Sequence, residues 1–143
     1  MLVTQILKAK GDLVFTALPH ETVDAAAALL HSRRVGALVI VDHADAVVGI
    51  LSERDIVRAV AERGAAALSE PLSNWMTRDV LFATPAEGVG PLLERMTDRR
   101  VRHLPVVRDG KLVGIVSIGD LVKSKIAETV AEAENLMAYI SAG

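Results

Sequence analysis

Two short segments of the sequence carry a serine and an aspartate at the same spacing. Ser52 and Asp55 lie in "GILSERDIV" (49–57), and Ser117 and Asp120 lie in "GIVSIGDLV" (114–122). A hydroxyl can hydrogen-bond a phosphate, and a carboxylate can accept hydrogen bonds from the paired hydroxyls of a ribose. The same spacing also starts a helix, because the serine caps the first turn and the acidic residue suits the positive end of the dipole. The residues alone leave both interpretations open, and the two are compatible.

These segments belong to a longer internal repeat. Residues 14–41 align with residues 80–107 at an offset of 66, and the loss of one residue in a turn changes the offset to 65, which places Gly49 on Gly114. Two copies of one small unit are the simplest explanation, since a deletion at a turn is well tolerated. We predict a first repeat over 1–66, a second over 67–125, and a C-terminal helix extension over 126–143.

The repeats predict secondary structure of the same order. Apolar residues recur at helical spacing over 23–30 and again over 89–96, and each run is followed by two short β-branched segments around a polar turn. With a short strand near 14–17 or 80–83 and a helix from each aspartate, each copy reads β-α-β-β-α. We expect an α+β fold in which two units of about 60 residues, each too small alone, pack sheet to sheet. Residues 61–74 are predicted as the linker.

The C-terminal segment predicts a long helix over 120–141, about 33 Å in length. Its apolar positions follow spacings close to a heptad seam: Val122, Ile126, Val130, Ala133, Met137 and Ile140. The helix either contributes to a dimer or folds back over its own domain.

Composition excludes several classes of function. The 16 basic and 18 acidic residues give a net charge of −2, which provides no field for nucleic acid or an anionic membrane. There is no cysteine, and the four histidines lack the spacing of helical metal ligands. No apolar run reaches the roughly 20 residues that span a bilayer, and no secretion signal is recognisable. No Ser-His-Asp order or phosphate-binding Gly-rich loop occurs, so we expect a non-catalytic, cytoplasmic protein with no metal, nucleic acid or membrane partner.

The ordered duplicate of Gly-Ile-x-Ser-x-x-Asp after a Val-rich strand, with a Thr and a Pro upstream in each copy and "RHLPVV" in the second, resembles a tandem pair of cystathionine β-synthase (CBS) domains, often called a Bateman module. The resemblance covers about residues 1–125. It implies a stand-alone regulatory module that binds an adenosyl ligand in two pseudo-symmetric clefts between the sheets. AMP, ATP, NADH and S-adenosylmethionine all remain open as ligands. It also implies a homodimer and an unidentified effector protein.

The resemblance assigns roles to individual positions. It implies that the two aspartates hold ribose hydroxyls, that the two serines lie near phosphate, and that Arg102 and His103 contact phosphate. In the first copy Gly36 and Ala37 stand at the positions of that basic pair, so the two clefts differ in charge, although Arg54 is placed to compensate. Thr16 and Thr84 are implied to line the adenine end, with alignments that differ by two residues. The full implied set is Thr16, Gly36, Ala37, Ser52, Arg54, Asp55, Thr84, Arg102, His103, Pro105, Ser117, Ile118, Gly119 and Asp120.

Two functions of different classes remain. The chain is either a sensor of adenine nucleotides, whose occupancy shifts an equilibrium between two arrangements, or a constitutive dimeric scaffold in which the Ser and Asp residues serve only as helix starts.

Overall fold

The computed structural model describes residues 1–142. The elements are α1 (Val3–Lys10), β1 (Thr16–Ala17), α2 (Val23–Arg33), β2 (Ala37–Val41), β3 (Val47–Ser52), α3 (Glu53–Arg63), α4 (Val89–Arg99), β4 (His103–Arg108), β5 (Lys111–Ser117) and α5 (Ile118–Ala142), with two 3₁₀ helices at Gly64–Ser69 and Leu72–Asn74. The mixed α+β class that the repeat predicted is confirmed. Contacts divide the chain into a first unit, Val14–Leu81, and a second unit that joins residues 1–13 to the chain from Phe82 onward.

The first unit is built on a three-stranded sheet of order β1-β2-β3. Strand β1 pairs parallel with β2, and β2 pairs antiparallel with β3. Side chains alternate between the two faces of a sheet, so Leu38, Ile40 and Leu51 share one face. All three are fully buried, in a cluster with apolar residues of α2 and α3 such as Val23 and Ala59. The predicted β-α-β-β-α order is therefore confirmed in this unit.

The second unit repeats this arrangement with one strand reduced. Strands β4 and β5 form an antiparallel hairpin, and an isolated parallel bridge between Ala83 and Val106 stands where β1 pairs with β2. The hairpin turn is Asp109-Gly110, with φ of 51° and 75°. Two consecutive residues of positive φ make a tight turn that matches the twist of the strands, as the Asp-Gly pair predicted.

Each unit also packs an arm that lies outside its sheet and the helices α2–α5. Arm 1 is residues 1–10, which pack on the second unit, and arm 2 is residues 70–79, which pack on the first. Equivalent backbone hydrogen bonds hold the two arms. In each equivalent pair of bonds, the two repeat residues are 66 positions apart and the two arm residues are 69 positions apart. The donor and acceptor pairs are Val3 to Glu87 and Leu72 to Glu21, Thr4 to Pro85 and Ser73 to Pro19, and Val89 to Met1 and Val23 to Glu70, all between 2.8 and 3.0 Å.

The arms explain why a glycine recurs in both hairpins. A Cβ on Gly49 would lie 2.7 Å from Sδ of Met76 and 3.0 Å from the carbonyl oxygen of Thr77. A Cβ on Gly114 would lie 2.7 Å from Cδ2 of Leu7. These distances are shorter than ordinary van der Waals contact, so a side chain at either position would require the arm to shift.

The predicted linker, residues 61–74, has more structure than a simple connection. It contains the end of α3 and both 3₁₀ helices, and it buries Ala67 and Leu72 completely. The repeat boundaries predicted at 66–67 and at 125–126 follow the sequence alignment and stay a prediction. The contacts add that α1, at the other end of the chain, packs with the second repeat.

Helix α5 runs without a break for 25 residues, slightly longer than predicted. Leu121 is fully buried at its start, whereas the predicted seam positions are exposed, with Ile126 at 60% and Met137 at 69%. All residues from 129 to 142, which form the C-terminal half of α5, are exposed. The structure thus favours a projecting helix over one folded back on its own domain. No helix within residues 1–142 is both long enough and apolar enough to cross a membrane.

Candidate functional site

The first candidate site lies at the end of the β2–β3 hairpin. Ala37 and Ser52 are partners across the two strands, and the N–H of Glu53 donates to the carbonyl of Gly36 at 3.0 Å. Thr16 pairs with Val39, two residues along β2, which places it on the same sheet face as Ala37 and Ser52. The structure therefore brings these predicted positions of the first repeat together.

Ser52 and Asp55 form a reciprocal cap at the start of α3. The Ser52 N–H donates to Oδ2 of Asp55 at 2.9 Å, and the Asp55 N–H donates to the Ser52 hydroxyl at 3.4 Å. The serine hydroxyl also donates to the same carboxylate oxygen at 3.2 Å. Two backbone donors at the helix start are thus satisfied within the protein, as the capping interpretation predicted.

A cation from the same helix compensates the charge of Asp55. The Arg58 guanidinium donates to Oδ1 of Asp55 at 3.2 Å and to the carbonyl of Trp75 at 3.0 Å. Its Cζ atom also lies 5.3 Å from the centre of the Trp75 ring, within the range of a cation–π contact. Arg58 therefore joins the carboxylate to arm 2, all within the first unit.

The second candidate site has the same backbone frame. His103 pairs with Ser117 across β4 and β5, and the N–H of Ile118 donates to the carbonyl of Arg102 at 2.8 Å. The Ser117 N–H donates to Oδ2 of Asp120 at 2.8 Å, and the Asp120 N–H donates to the Ser117 hydroxyl at 3.1 Å. The basic pair and the Ser-Asp cap therefore meet at one end of the hairpin.

A lysine from arm 1 reaches this second carboxylate. Nζ of Lys10 donates to Oδ2 of Asp120 at 2.7 Å and to the carbonyl of Ile115 at 3.0 Å. Partial burial works to raise the pKa of Asp120, but the hydrogen bonds and charge of Lys10, with the Ser117 hydrogen bonds, outweigh it, so the pKa lies below its ordinary value. Asp120 is thus held ionised. Lys10 could not be found from the internal repeat, because arm 1 precedes the aligned residues 14–41.

The two sites also differ at the second residue after the capping serine. Gly119 stands at the position of Arg54, and a Cβ on Gly119 would meet only the Ser117 hydroxyl, at 3.6 Å. That is an ordinary contact, so the fold itself does not require glycine there.

Two other predicted positions lie farther along the hairpin. Pro105 pairs with Ile115, two residues in from His103 on the same face. Thr84 follows Ala83, which bridges Val106, so it lies at the level of Leu112, about 17 Å from Ser117 along β5 at about 3.4 Å per residue.

Thr84 lines a different space from the rest of the set. It borders a groove of about 450 Å³ in the second unit, lined by Leu2, Thr4, Thr84, Pro85, Ala86, Val107, Arg108 and Asp109. The structure does not bring Thr84 to Ser117 and Asp120. The offset of 66, which the bridge of Ala83 confirms, makes Phe82 the equivalent of Thr16, which is the reason for the two-residue disagreement between the threonines.

Two units with duplicated Ser-Asp helix starts define a tandem α+β module, and comparisons with known proteins agree. The CBS domain model matches residues 11–62 and 72–127. The chain therefore belongs to the CBS domain family.

Several relatives resemble it over most of their length. A mitochondrial CBS domain-containing protein of Arabidopsis thaliana, CBSX3, is 33% identical, over 99% of this chain and 72% of its own. A crystal structure of a CBS-domain containing protein from Agrobacterium tumefaciens is 42% identical with a TM-score of 0.85, covering 87% of this chain and 99% of that one. The CBS domain pair of protein MJ0100, solved in complex with 5′-methylthioadenosine and S-adenosyl-L-methionine, is 29% identical with a TM-score of 0.80, over 90% of this chain and 98% of its own.

Proposed function

We propose that this chain is a non-catalytic regulatory module that binds an adenosyl compound, such as AMP or ATP, and transmits its occupancy to a partner protein. The observation that carries the proposal is the second site, where Arg102, His103 and the Ser117-Asp120 cap meet at the end of one hairpin. The MJ0100 domain pair, which holds two adenosyl ligands, supports the choice of ligand class.

The second site offers a partner for each part of a nucleotide. The ionised carboxylate of Asp120 accepts from ribose hydroxyls, because ionised carboxylates are acceptors only. The Ser117 hydroxyl and the start of α5 favour phosphate through their donors and the helix dipole. Arg102 binds phosphate oxygens through its forked donors, and His103 can donate beside it.

The first site offers the ribose acceptor without the same basic pair. Asp55 is present, but Gly36 and Ala37 provide no side-chain donor for phosphate. Arg54 is exposed at the start of α3 and is the cation best placed to compensate. We therefore propose that the first site binds phosphate more weakly than the second.

The proposal includes a homodimer and an effector protein. The exposed stripe of α5, which contains Ile126, Val130, Met137 and Ile140, supports pairing with a second copy because its spacing approximates a heptad seam. A cytoplasmic location, expected from the sequence, remains a prediction.

One observation favours the constitutive scaffold as a second candidate. Both Ser-Asp caps are complete within the protein, since each serine and aspartate satisfies the other's backbone N–H. A helix cap of this kind stabilises a helix by about 1 kcal/mol whether or not a ligand ever binds. The scaffold reading needs no further partner for these residues.

Titration calorimetry with AMP, ADP, ATP, NADH and S-adenosylmethionine separates the two functions. Asp120→Ala should abolish the binding of the preferred ligand at the second site and cost only about 1 kcal/mol of stability, the value of a helix cap. Asp55→Ala is the matched variant, because it removes the equivalent cap and should leave the second site active. Circular dichroism checks that each variant is folded. No binding by the folded wild-type protein to any of the five compounds would favour the scaffold.

A further inference from the structure

The charge near each carboxylate comes from a different part of the chain. Asp55 is paired with Arg58, three residues along its own helix, with an N–O distance of 3.2 Å. Asp120 is paired with Lys10, 110 residues away on arm 1, at 2.7 Å. At the offset of 69 that relates the two arms, the position of Lys10 in arm 2 is taken by Asp79. The two arms thus carry opposite charges at aligned sequence positions, and arm 2 offers no lysine to the first site there.

The consequence is a difference in net charge between the sites. In the first site Glu53 and Arg54 cancel at the helix start, and Asp55 and Arg58 cancel in their ion pair. In the second site Ile118 and Gly119 are uncharged, Lys10 cancels the charge of Asp120, and Lys123 stands at the position of Arg58. Arg102, held beside Ile118 by the backbone, and Lys123 are then positive charges in excess. Loss of Lys10 would remove one positive charge from this site.

We infer that Lys10 is a specificity-determining residue, which makes the second site select adenosyl ligands that carry phosphate and leaves the first site for uncharged adenosyl compounds. This inference rests on the proposed function. Lys10 acts chiefly through Asp120: it satisfies one carboxylate oxygen, Oδ2, and so directs a ribose hydroxyl toward the other. It also stops the carboxylate from repelling a phosphate bound at the same helix start, because like charges at close range disfavour each other.

A purely structural role for Lys10 predicts a different result. The ion pair also fastens arm 1 to the start of α5, and loss of that contact alone would weaken every ligand of the second site to the same extent. A change in selectivity between charged and uncharged ligands therefore distinguishes a role in specificity from a role in arm attachment.

The experiment compares AMP with adenosine by titration calorimetry in an Asp55→Ala background, which silences the first site. We expect Lys10→Met to weaken AMP about tenfold, the size of one charge-assisted interaction, and adenosine by less than about twofold. Lys10→Arg should restore AMP binding, since it keeps the charge and the donor. Lys8→Met is the matched control, because it removes an exposed positive charge from the same helix and should change neither affinity.

A second titration tests the first site in an Asp120→Ala background, where adenosine should bind at least as tightly as AMP. Equal weakening of AMP and adenosine by Lys10→Met, or no change in either, would overturn the inference and leave the proposed function standing. A preference of the first site for AMP would overturn its second half. Absence of any binding by the folded wild-type protein would instead overturn the proposed function, and the inference with it.

Discussion

The two repeats share a backbone frame and differ in how each connects its carboxylate to the rest of the molecule. The cap, the strand pairing and the close approach of an arm recur in both units with nearly the same distances. Asp55 finds its cation within one helical turn, whereas Asp120 finds it on an arm at the far end of the sequence. An i,i+3 ion pair forms almost without chain ordering, but the Lys10 pair forms only when arm 1 is docked.

This difference indicates that duplication preserved the scaffold and let the sites diverge. Positions where an arm crosses a hairpin, such as Gly49 and Gly114, are unchanged, and an added Cβ at each would lie 2.7 Å from an arm side chain. Positions of the proposed binding sites, such as Gly36 and Arg102, differ in charge although the backbone hydrogen bond around them is the same. The repeats are thus equal in architecture and unequal in electrostatics.

The largest expected effect tests the equality of the scaffolds. Leu38 and Leu104 are equivalent at the offset of 66, and both are fully buried. Leu38→Ala and Leu104→Ala should each lower the free energy of unfolding by about 2–5 kcal/mol, through lost burial and the cavity left behind. Denaturant titration followed by circular dichroism measures both. Losses that differ by several kcal/mol would break the claim that the two units are equivalent in packing.

A smaller effect distinguishes the two arm crossings. Gly49→Ala should destabilise the protein by roughly 1–3 kcal/mol, the range for overpacking, because its Cβ would meet a backbone carbonyl, that of Thr77, as well as Met76. Gly114→Ala should cost less than about 1 kcal/mol, since its Cβ meets only the movable end of the Leu7 side chain. The same denaturant titration gives both values, and a greater loss for Gly114→Ala would reverse the expected order.

The smallest effect sharpens the electrostatic contrast. The pKa of folded Asp120 lies below its ordinary value, so the stability it contributes is present above the ordinary carboxyl range and is lost as the pH falls through the folded pKa. Wild type and Lys10→Met should therefore differ at neutral pH by no more than about 1 kcal/mol, as expected for a partly exposed pair, and converge in acid. Unfolding curves collected from neutral pH down to strong acid measure the difference. A gap that persists below the folded pKa would assign the effect of Lys10 to packing.

Much of this architecture could be predicted from the sequence. The helical spacing of Val23 and Val89, the Asp109-Gly110 turn and the Ser-x-x-Asp caps are all local signals, and each forms the element that it predicted. The cluster of Arg102, His103 and Ser117 followed from the hairpin, because pairing across a short turn fixes which residues meet.

The remainder depended on contacts between distant segments. The offset of 69 between arm 1 and arm 2 differs from that of the repeats, so the repeat alignment did not indicate that α1 packs with the second repeat. Lys10 was missed for the same reason. Thr84 was wrongly matched to Thr16 because each threonine lies shortly before a proline. The strand register shows instead that Phe82 is the equivalent of Thr16.

The docking of arm 1 also sets an order for synthesis of the protein. The first unit is one unbroken segment, so all of its residues are available as soon as residue 81 has left the ribosome. The second unit needs residues that precede the first unit and residues that follow it, because Lys10 and Asp120 are separated by 110 positions. Arm 1 must therefore wait, undocked, while the intervening chain is translated. Until then its apolar residues Val3, Ile6 and Leu7 lack the contacts that bury them in the finished protein.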